Sequence, residues 1–266
     1  MYNMEMIKMG ILAIIQGITE LLPISSSGHL ILLGEYFNIS ITTLILSTFH
    51  LGTTLAIILF FREKLFKNLF TKEKLLFYIK ILVASIPAGI VGFLFEELIS
   101  ERLRATWIIA VSLIVWGIVM ILMEQKKKDI NGKNLEAISW KQSLSIGISQ
   151  TLALIPGTSR SGITTITGML VGLDKYTALE YSFILGIPVL LGSSMYGILK
   201  EILMIGEPLT STILSVSILK ITVMAILPFL IGYIALILLK KFQKKNWLTC
   251  FGMYRIVLGI LILLLV

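Results

Sequence analysis

Residues 16–29 read QGITELLPISSSGH, and residues 150–162 read QTLALIPGTSRSG. The first stretch places a carboxylate, three serine hydroxyls and an imidazole inside an apolar segment. At an offset of 134 positions Gln16 matches Gln150, Ser25 matches Ser159, Ser27 matches Ser161 and Gly28 matches Gly162. The register continues through Gly34 and Gly168, Phe49 and Phe183, Leu51 and Leu185, and Gly52 and Gly186. The chain therefore contains an internal duplication. In that register Ser26 falls opposite Arg160, so the copies differ where chemistry is expected.

Working outward from these motifs, the 266 residues are 56% hydrophobic and 14% charged, too apolar for an ordinary soluble domain. Apolar stretches of about 20 residues are long enough to cross a bilayer as helices. None alternates with the period of a barrel strand. The first apolar run carries Gln16 and Glu20, unlike a secretory leader, and is read as mature sequence. A single Cys250 excludes an intrachain disulfide. The net charge of +8 lies in loops between apolar spans, without a nucleic-acid motif, so membrane topology explains it and nucleic acid is not expected as a partner.

The expected spans are 41–61, 75–95, 105–123, 177–199, 212–239 and 248–266. Basic residues fill three loops: Arg62, Lys64, Lys67, Lys72 and Lys74; Lys126, Lys127, Lys128, Lys133 and Lys141; and Lys240, Lys241, Lys244 and Lys245. These are expected inside, while the loops Glu96–Arg104 and Lys200–Ser211 are expected outside. Residues 6–36 must then enter and leave on the outer side, and residues 142–173 on the inner side. Each forms a re-entrant hairpin broken at Pro23 or Pro156. Three spans separate the hairpins, which inverts the second copy. The expected fold is an all-α integral membrane protein: six transmembrane helices plus two re-entrant helical hairpins in an inverted-topology repeat. It forms a single membrane domain over 1–266, with repeats of approximately 6–123 and 142–266, and both termini outside. Trp107, Trp140 and Trp247 sit near span ends like interfacial anchors.

At each tip a half-helix begins with hydroxyls and glycine: Ser25, Ser26, Ser27 and Gly28 in one, Thr158, Ser159, Ser161 and Gly162 in the other. Two opposed helix N-termini make an anion site. Arg160 adds a forked cation suited to phosphate. Glu20 shares a face with Gln16 and, beside an anion site, is reasonable as a ligand for a divalent cation, as a general base or as the partner of Arg160. His29 is able to shuttle a proton or attack phosphorus, and Ser26 is a candidate hydroxyl nucleophile. Simple capping by the tip hydroxyls, interhelical hydrogen bonding by Gln16 and Gln150, and a purely structural Arg160–Glu20 pair are the bland readings of the same residues. His50, in TFHLGTT, has no carboxylate near it in sequence and reads as a core histidine outside the site.

With Gln16, Glu20 and PISSSGH in one copy and PGTSRSG at 156–162 in the other, the chain resembles the undecaprenyl-diphosphate phosphatase family associated with bacitracin resistance, over essentially its whole length. The resemblance implies hydrolysis of a polyprenyl diphosphate lipid to its monophosphate and inorganic phosphate in the bacterial plasma (inner) membrane, with an outward-facing site. It implies catalytic roles for Glu20, Ser26, His29 and Arg160. It also implies Mg²⁺ or Ca²⁺ at the first two acidic positions of the motif, here Gln16 and Glu20, which leaves one carboxylate where two would chelate. Membrane lipid is the surrounding partner, and a homodimer is one open assembly. The nucleophile stays open among Ser26, His29 and water. A second lipid-phosphatase superfamily with an SRx5H signature is excluded because position 166 is Ile. A lipid flippase of inverted-repeat architecture is the main rival. An intramembrane Ser–His protease would require neither Arg160 nor two anion-binding tips.

Overall fold

The computed structural model describes residues 2–125, 134–205, 218–242 and 246–265. The α-helices are α1 (Tyr2–Leu21), α2 (Ser26–Phe37), α3 (Thr43–Phe60), then α4 (Arg62–Phe66), α5 (Lys72–Leu94), α6 (Glu96–Arg102) and α7 (Thr106–Glu124). They continue with α8 (Trp140–Ser149), α9 (Arg160–Leu170), α10 (Lys175–Ile205), α11 (Ile218–Phe242) and α12 (Trp247–Leu265). No strand occurs among the described residues. Six helices are long and apolar enough to cross a membrane: α3, α5, α7, α10, α11 and α12. The protein is a multi-pass helical membrane protein, and the six spans fall where the apolar runs predict them.

Local chemistry sets the helix starts. Thr42 and Thr71 cap α3 and α5, each hydroxyl accepting the amide three residues on. Ser139 and Gln142 form a reciprocal capping box at α8. The expected loop after residue 95 is instead the short helix α6, and α10 extends to Ile205, beyond the expected end at 199. Residues 212–217 of the fifth expected span, the basic residues Lys126, Lys127, Lys128, Lys133, Lys244 and Lys245, and the end of the loop after Lys200 lie outside the described residues. Trp247 does not behave as an interfacial anchor. It is 1% exposed and packs edge-on against Phe251, in a cluster with Phe61, Phe77, Tyr181 and Phe183.

The packing of the first half of the chain is repeated by the second with the partners exchanged. α1 packs on α11, and α8 packs on α5; α3 packs on α11, and α10 packs on α5. α3 and α10 pack on each other, as do α7 and α12. Close approach of the last pair needs glycine: a Cβ at Gly117 would lie 2.7 Å from the carbonyl oxygen of Gly252, and one at Gly252 would lie 2.7 Å from that of Gly117. Polar ties gather at the helix ends. Lys64 pairs with Glu180, Lys74 with Glu136 at 2.8 Å and Lys175 with Glu124 at 2.7 Å, joining the ends of α3, α5, α7 and α10. Glu96, just past the end of α5, pairs at 2.7 Å with Lys200 in the last turns of α10.

Candidate active site

α1 and α2 form one helix pair broken at residues 22–25, and α8 and α9 form another broken near 155–159. The two breaks share an unusual backbone. Ser25 has φ 74° and Ser159 has φ 70°, a left-handed region that costs a non-glycine residue about 1–3 kcal/mol and recurs at functional sites. Each serine caps the helix that follows: Ser25 Oγ accepts from the Gly28 amide at 3.4 Å, and Ser159 Oγ accepts from the Gly162 amide at 3.3 Å. Each also lies against the second serine of its own motif, Ser27 at 3.3 Å and Ser161 at 3.4 Å. Positions matched by sequence are therefore matched in conformation. The approach arms differ, because Gln150–Leu154 is a 3-10 turn where α1 is continuous. Ser149 and Thr151 hydroxyls donate to the carbonyls of Ile146 and Ile148, which tightens that arm. Their counterparts in the first copy, Ile15 and Gly17, have no hydroxyl.

The tips meet. Ser161 Oγ donates to the Leu22 carbonyl at 3.4 Å, and a Cβ at Gly28 would lie 3.7 Å from Gly157 Cα. Gly157 has φ +93° and abuts the Ile109 carbonyl, so both backbone freedom and space require glycine there.

Glu20 stands at the junction, its side chain 6% exposed. Ser26 Oγ donates to its Oε2 at 2.6 Å, and Arg160 Nη2 donates to its Oε1 at 2.9 Å. Ser26 and Arg160 occupy matched positions of the two copies, and they grip the two oxygens of one carboxylate. Arg160 Nη1 donates to the Ser182 carbonyl at 3.1 Å. Its Nε is buried without a partner, as is Thr158 Oγ1. Such buried donors are costly unless a ligand or water meets them. Thr164 and Ser182, hydroxyls 2.6 Å apart, fasten α9 to α10 behind Arg160.

His29 lies elsewhere than its place in the motif suggests. Its Nδ1 donates to the Ser25 carbonyl at 2.7 Å, and its Nε2 lies 2.7 Å from the Tyr254 hydroxyl, which donates to it when the ring is neutral. Both ring nitrogens are thus engaged, with Tyr254 stacked parallel to the ring. His50 requires a correction: its Nε2 is 3.7 Å from Glu20 Oε2, so it belongs to the site. Its carboxylate comes from another helix, because α3 packs on α1. Arg255, Tyr254, Ser182 and Gly186 are further site residues not identified from the motifs. For Arg255 a signal existed, a lone charge inside an apolar span.

Gln16 is fully buried, with Nε2 3.4 Å from Glu20 Oε2 and Oε1 without a partner. An orphaned amide oxygen beside a carboxylate suits a hard divalent cation. Among the described residues no group of three His, Cys, Asp or Glu side chains is placed to hold one. Such an ion would therefore draw further ligands from phosphate oxygens, as Mg²⁺ commonly does.

A family model described as "Bacitracin resistance protein BacA" matches residues 9–261. The chain is similar to "Undecaprenyl-diphosphatase 1" of Clostridioides difficile, 38% identical over 273 residues, covering 98% of this chain and 96% of the relative. It is similar to "Undecaprenyl-diphosphatase" of Methanococcus aeolicus, 38% identical with 98% of both chains covered, and to that of Enterococcus faecalis, 35% identical with 98% and 97% covered. With two helix starts converging on the Glu20–Arg160 junction and a match over nearly its whole length, the chain belongs to the bacitracin resistance protein BacA family.

Proposed function

We propose that the protein hydrolyses undecaprenyl diphosphate to undecaprenyl phosphate and inorganic phosphate, recycling the carrier lipid of peptidoglycan synthesis. The observation that carries this reading is the single carboxylate of Glu20 held by Ser26 from one tip and Arg160 from the other. The diphosphate head lies between the tips, where Arg160 and the amides at the starts of α2 and α9 neutralise charge on the reacting phosphoryl group. Glu20 is placed to accept the proton of Ser26 Oγ, or of a water standing in its place, as the new P–O bond forms. The bridging P–O bond breaks, and the lipid monophosphate leaves; where Ser26 is the nucleophile, a water then cleaves the phosphoserine with Glu20 taking its proton, which releases inorganic phosphate and restores the hydroxyl. His29 is the third nucleophile candidate, and its attack would require giving up the Tyr254 bond. A phosphoenzyme trapped on Ser26 or His29 identifies either residue, whereas absence of label under rapid quench identifies water. Glu20 and Gln16 Oε1 are the residues that would hold a Mg²⁺ or Ca²⁺, which would add to the neutralisation of the diphosphate.

The hairpins are read as re-entrant from opposite sides of a bacterial plasma membrane, in inverted repeats with the site open to the outside. The exchanged packing of α1 on α11 and α8 on α5 supports this arrangement.

Purified protein with a long-chain prenyl diphosphate is expected to release phosphate, to lose activity in EDTA and to regain it with Mg²⁺ or Ca²⁺. Lipid movement in liposomes without phosphate release would favour the flippase instead. A second expectation concerns Gly186, where a Cβ would collide with the Arg160 guanidinium. Displacing a catalytic group by about 1 Å costs on the order of 10²-fold, so Gly186→Ala should lower turnover by about that factor. Gly192→Ala, on the same helix in open space, should not. Equal turnover in the two variants would contradict the role given to Arg160.

A further inference from the structure

α12 carries a single charged side chain, Arg255, near its middle. It is fully buried, and its partners are backbone carbonyls. Nη1 donates to Pro23 at 2.9 Å, and Nη2 donates to Gly157 at 2.6 Å and Thr158 at 3.0 Å. Nε approaches the Leu113 carbonyl at 3.5 Å. Pro23 belongs to the first tip, and Gly157 and Thr158 belong to the second. One guanidinium therefore spans both breaks, using the fixed fork that lysine lacks.

The electrostatics are unusual. Among the described residues no carboxylate lies within ion-pair distance of Arg255, although a buried cation without a counter-charge is costly. It is also adjacent to the start of α9, since a Cβ at Gly162 would lie 3.7 Å from Nη1. A cation at the positive end of a helix is repelled by it. The four carbonyls accept its hydrogen bonds but carry no net charge. A multiply charged anion between the two helix starts supplies what is missing.

We propose that Arg255 is a positioning residue for phosphate transfer. By holding the Pro23, Gly157 and Thr158 carbonyls in one fork, it aims the helix starts at Ser26 and Arg160 at the same phosphoryl group. Its charge is compensated by the bound diphosphate. The inference rests on the diphosphatase reading of the tips.

The test uses the full chain, a long-chain prenyl diphosphate, and the variants Arg255→Lys and Arg255→Met. Lysine keeps the charge without the fork, so kcat should fall about 100-fold while KM stays within about threefold. Methionine removes the charge as well, so KM should rise about tenfold beyond the same loss of kcat. Melting temperature of Arg255→Lys should stay within about 3 °C of the wild type, which separates positioning from unfolding. Wild-type kcat in Arg255→Lys overturns the proposal, and so does a loss that tracks a fall in melting temperature. If Arg255→Met does not fold, the lysine variant alone decides. Wild-type protein that releases no phosphate strikes the diphosphatase reading itself, a result separable from an active enzyme indifferent to residue 255.

Discussion

Arg160→Ala should lower kcat/KM by about 10³-fold or more, the range found when a charge-stabilising arginine is removed from phosphoryl transfer. KM should rise as well, because in the proposed complex the guanidinium also meets phosphate in the ground state. The competing explanation is that Arg160 merely ties the hairpins through Glu20. Breaking one side of a buried pair costs about 3–5 kcal/mol, so Arg160→Ala alone does not separate the two accounts. The double variant Glu20→Gln, Arg160→Met does, since it leaves no unpaired charge at the junction. If the pair were only a tie, the double variant would regain activity along with its fold. The expected result is a folded protein, judged by its melting temperature, that remains inactive. Arg160→Lys should recover a small part of the loss, because ammonium restores charge but not two simultaneous bonds to Glu20 and the Ser182 carbonyl.

Glu20→Gln should show the opposite split. Its kcat should fall by about 10²–10⁴-fold, the usual worth of a positioned general base. KM should not rise. In the wild type Glu20 Oε1 competes with phosphate for Arg160 Nη2, and the neutral amide competes less. Steady-state kinetics with the prenyl diphosphate measure both constants. A Glu20→Gln variant with unchanged kcat would remove Glu20 from the chemistry, and one with a strongly raised KM would recast it as a substrate ligand.

The spans were legible because hydrocarbon thickness fixes the length of an apolar run. The duplication was legible because capping positions constrain sequence tightly: Ser25 and Ser159 must supply an oxygen to an amide three residues on, and Gly28 and Gly162 follow in both copies. Pairing of Arg160 with Glu20 was one of three options for the carboxylate, and it is present in the structure. What stayed hidden is rotational. α12 is apolar around most of its circumference, and α3, although it carries Thr43, Ser47, His50 and Thr54 along one face, has no carboxylate near His50 in sequence to tell what that face meets. His50 and Arg255 were therefore either set aside or unremarked, although each faces the junction. His29 shows the converse. Nearness to Ser26 in the motif does not aim its ring at Glu20, because its hydrogen-bond partners are its own Ser25 carbonyl and a tyrosine 225 positions away.

The Glu20–Arg160 contact spans 140 positions, and the Arg255–Pro23 contact spans 232. At about 5–20 residues per second, ribosomes finish Glu20 on the order of ten seconds before Arg160 exists. During that interval the nascent chain holds an acid among apolar helices with no cation to meet it, which disfavours final burial of the first hairpin. Membrane insertion of the early spans and completion of the bundle are thus separate events. The second hairpin acts as the key that lets the first one settle, and the closing arginine of the last helix arrives as its latch. A chain stopped short of α9 would leave the Glu20 carboxylate without the guanidinium that meets it in the finished bundle.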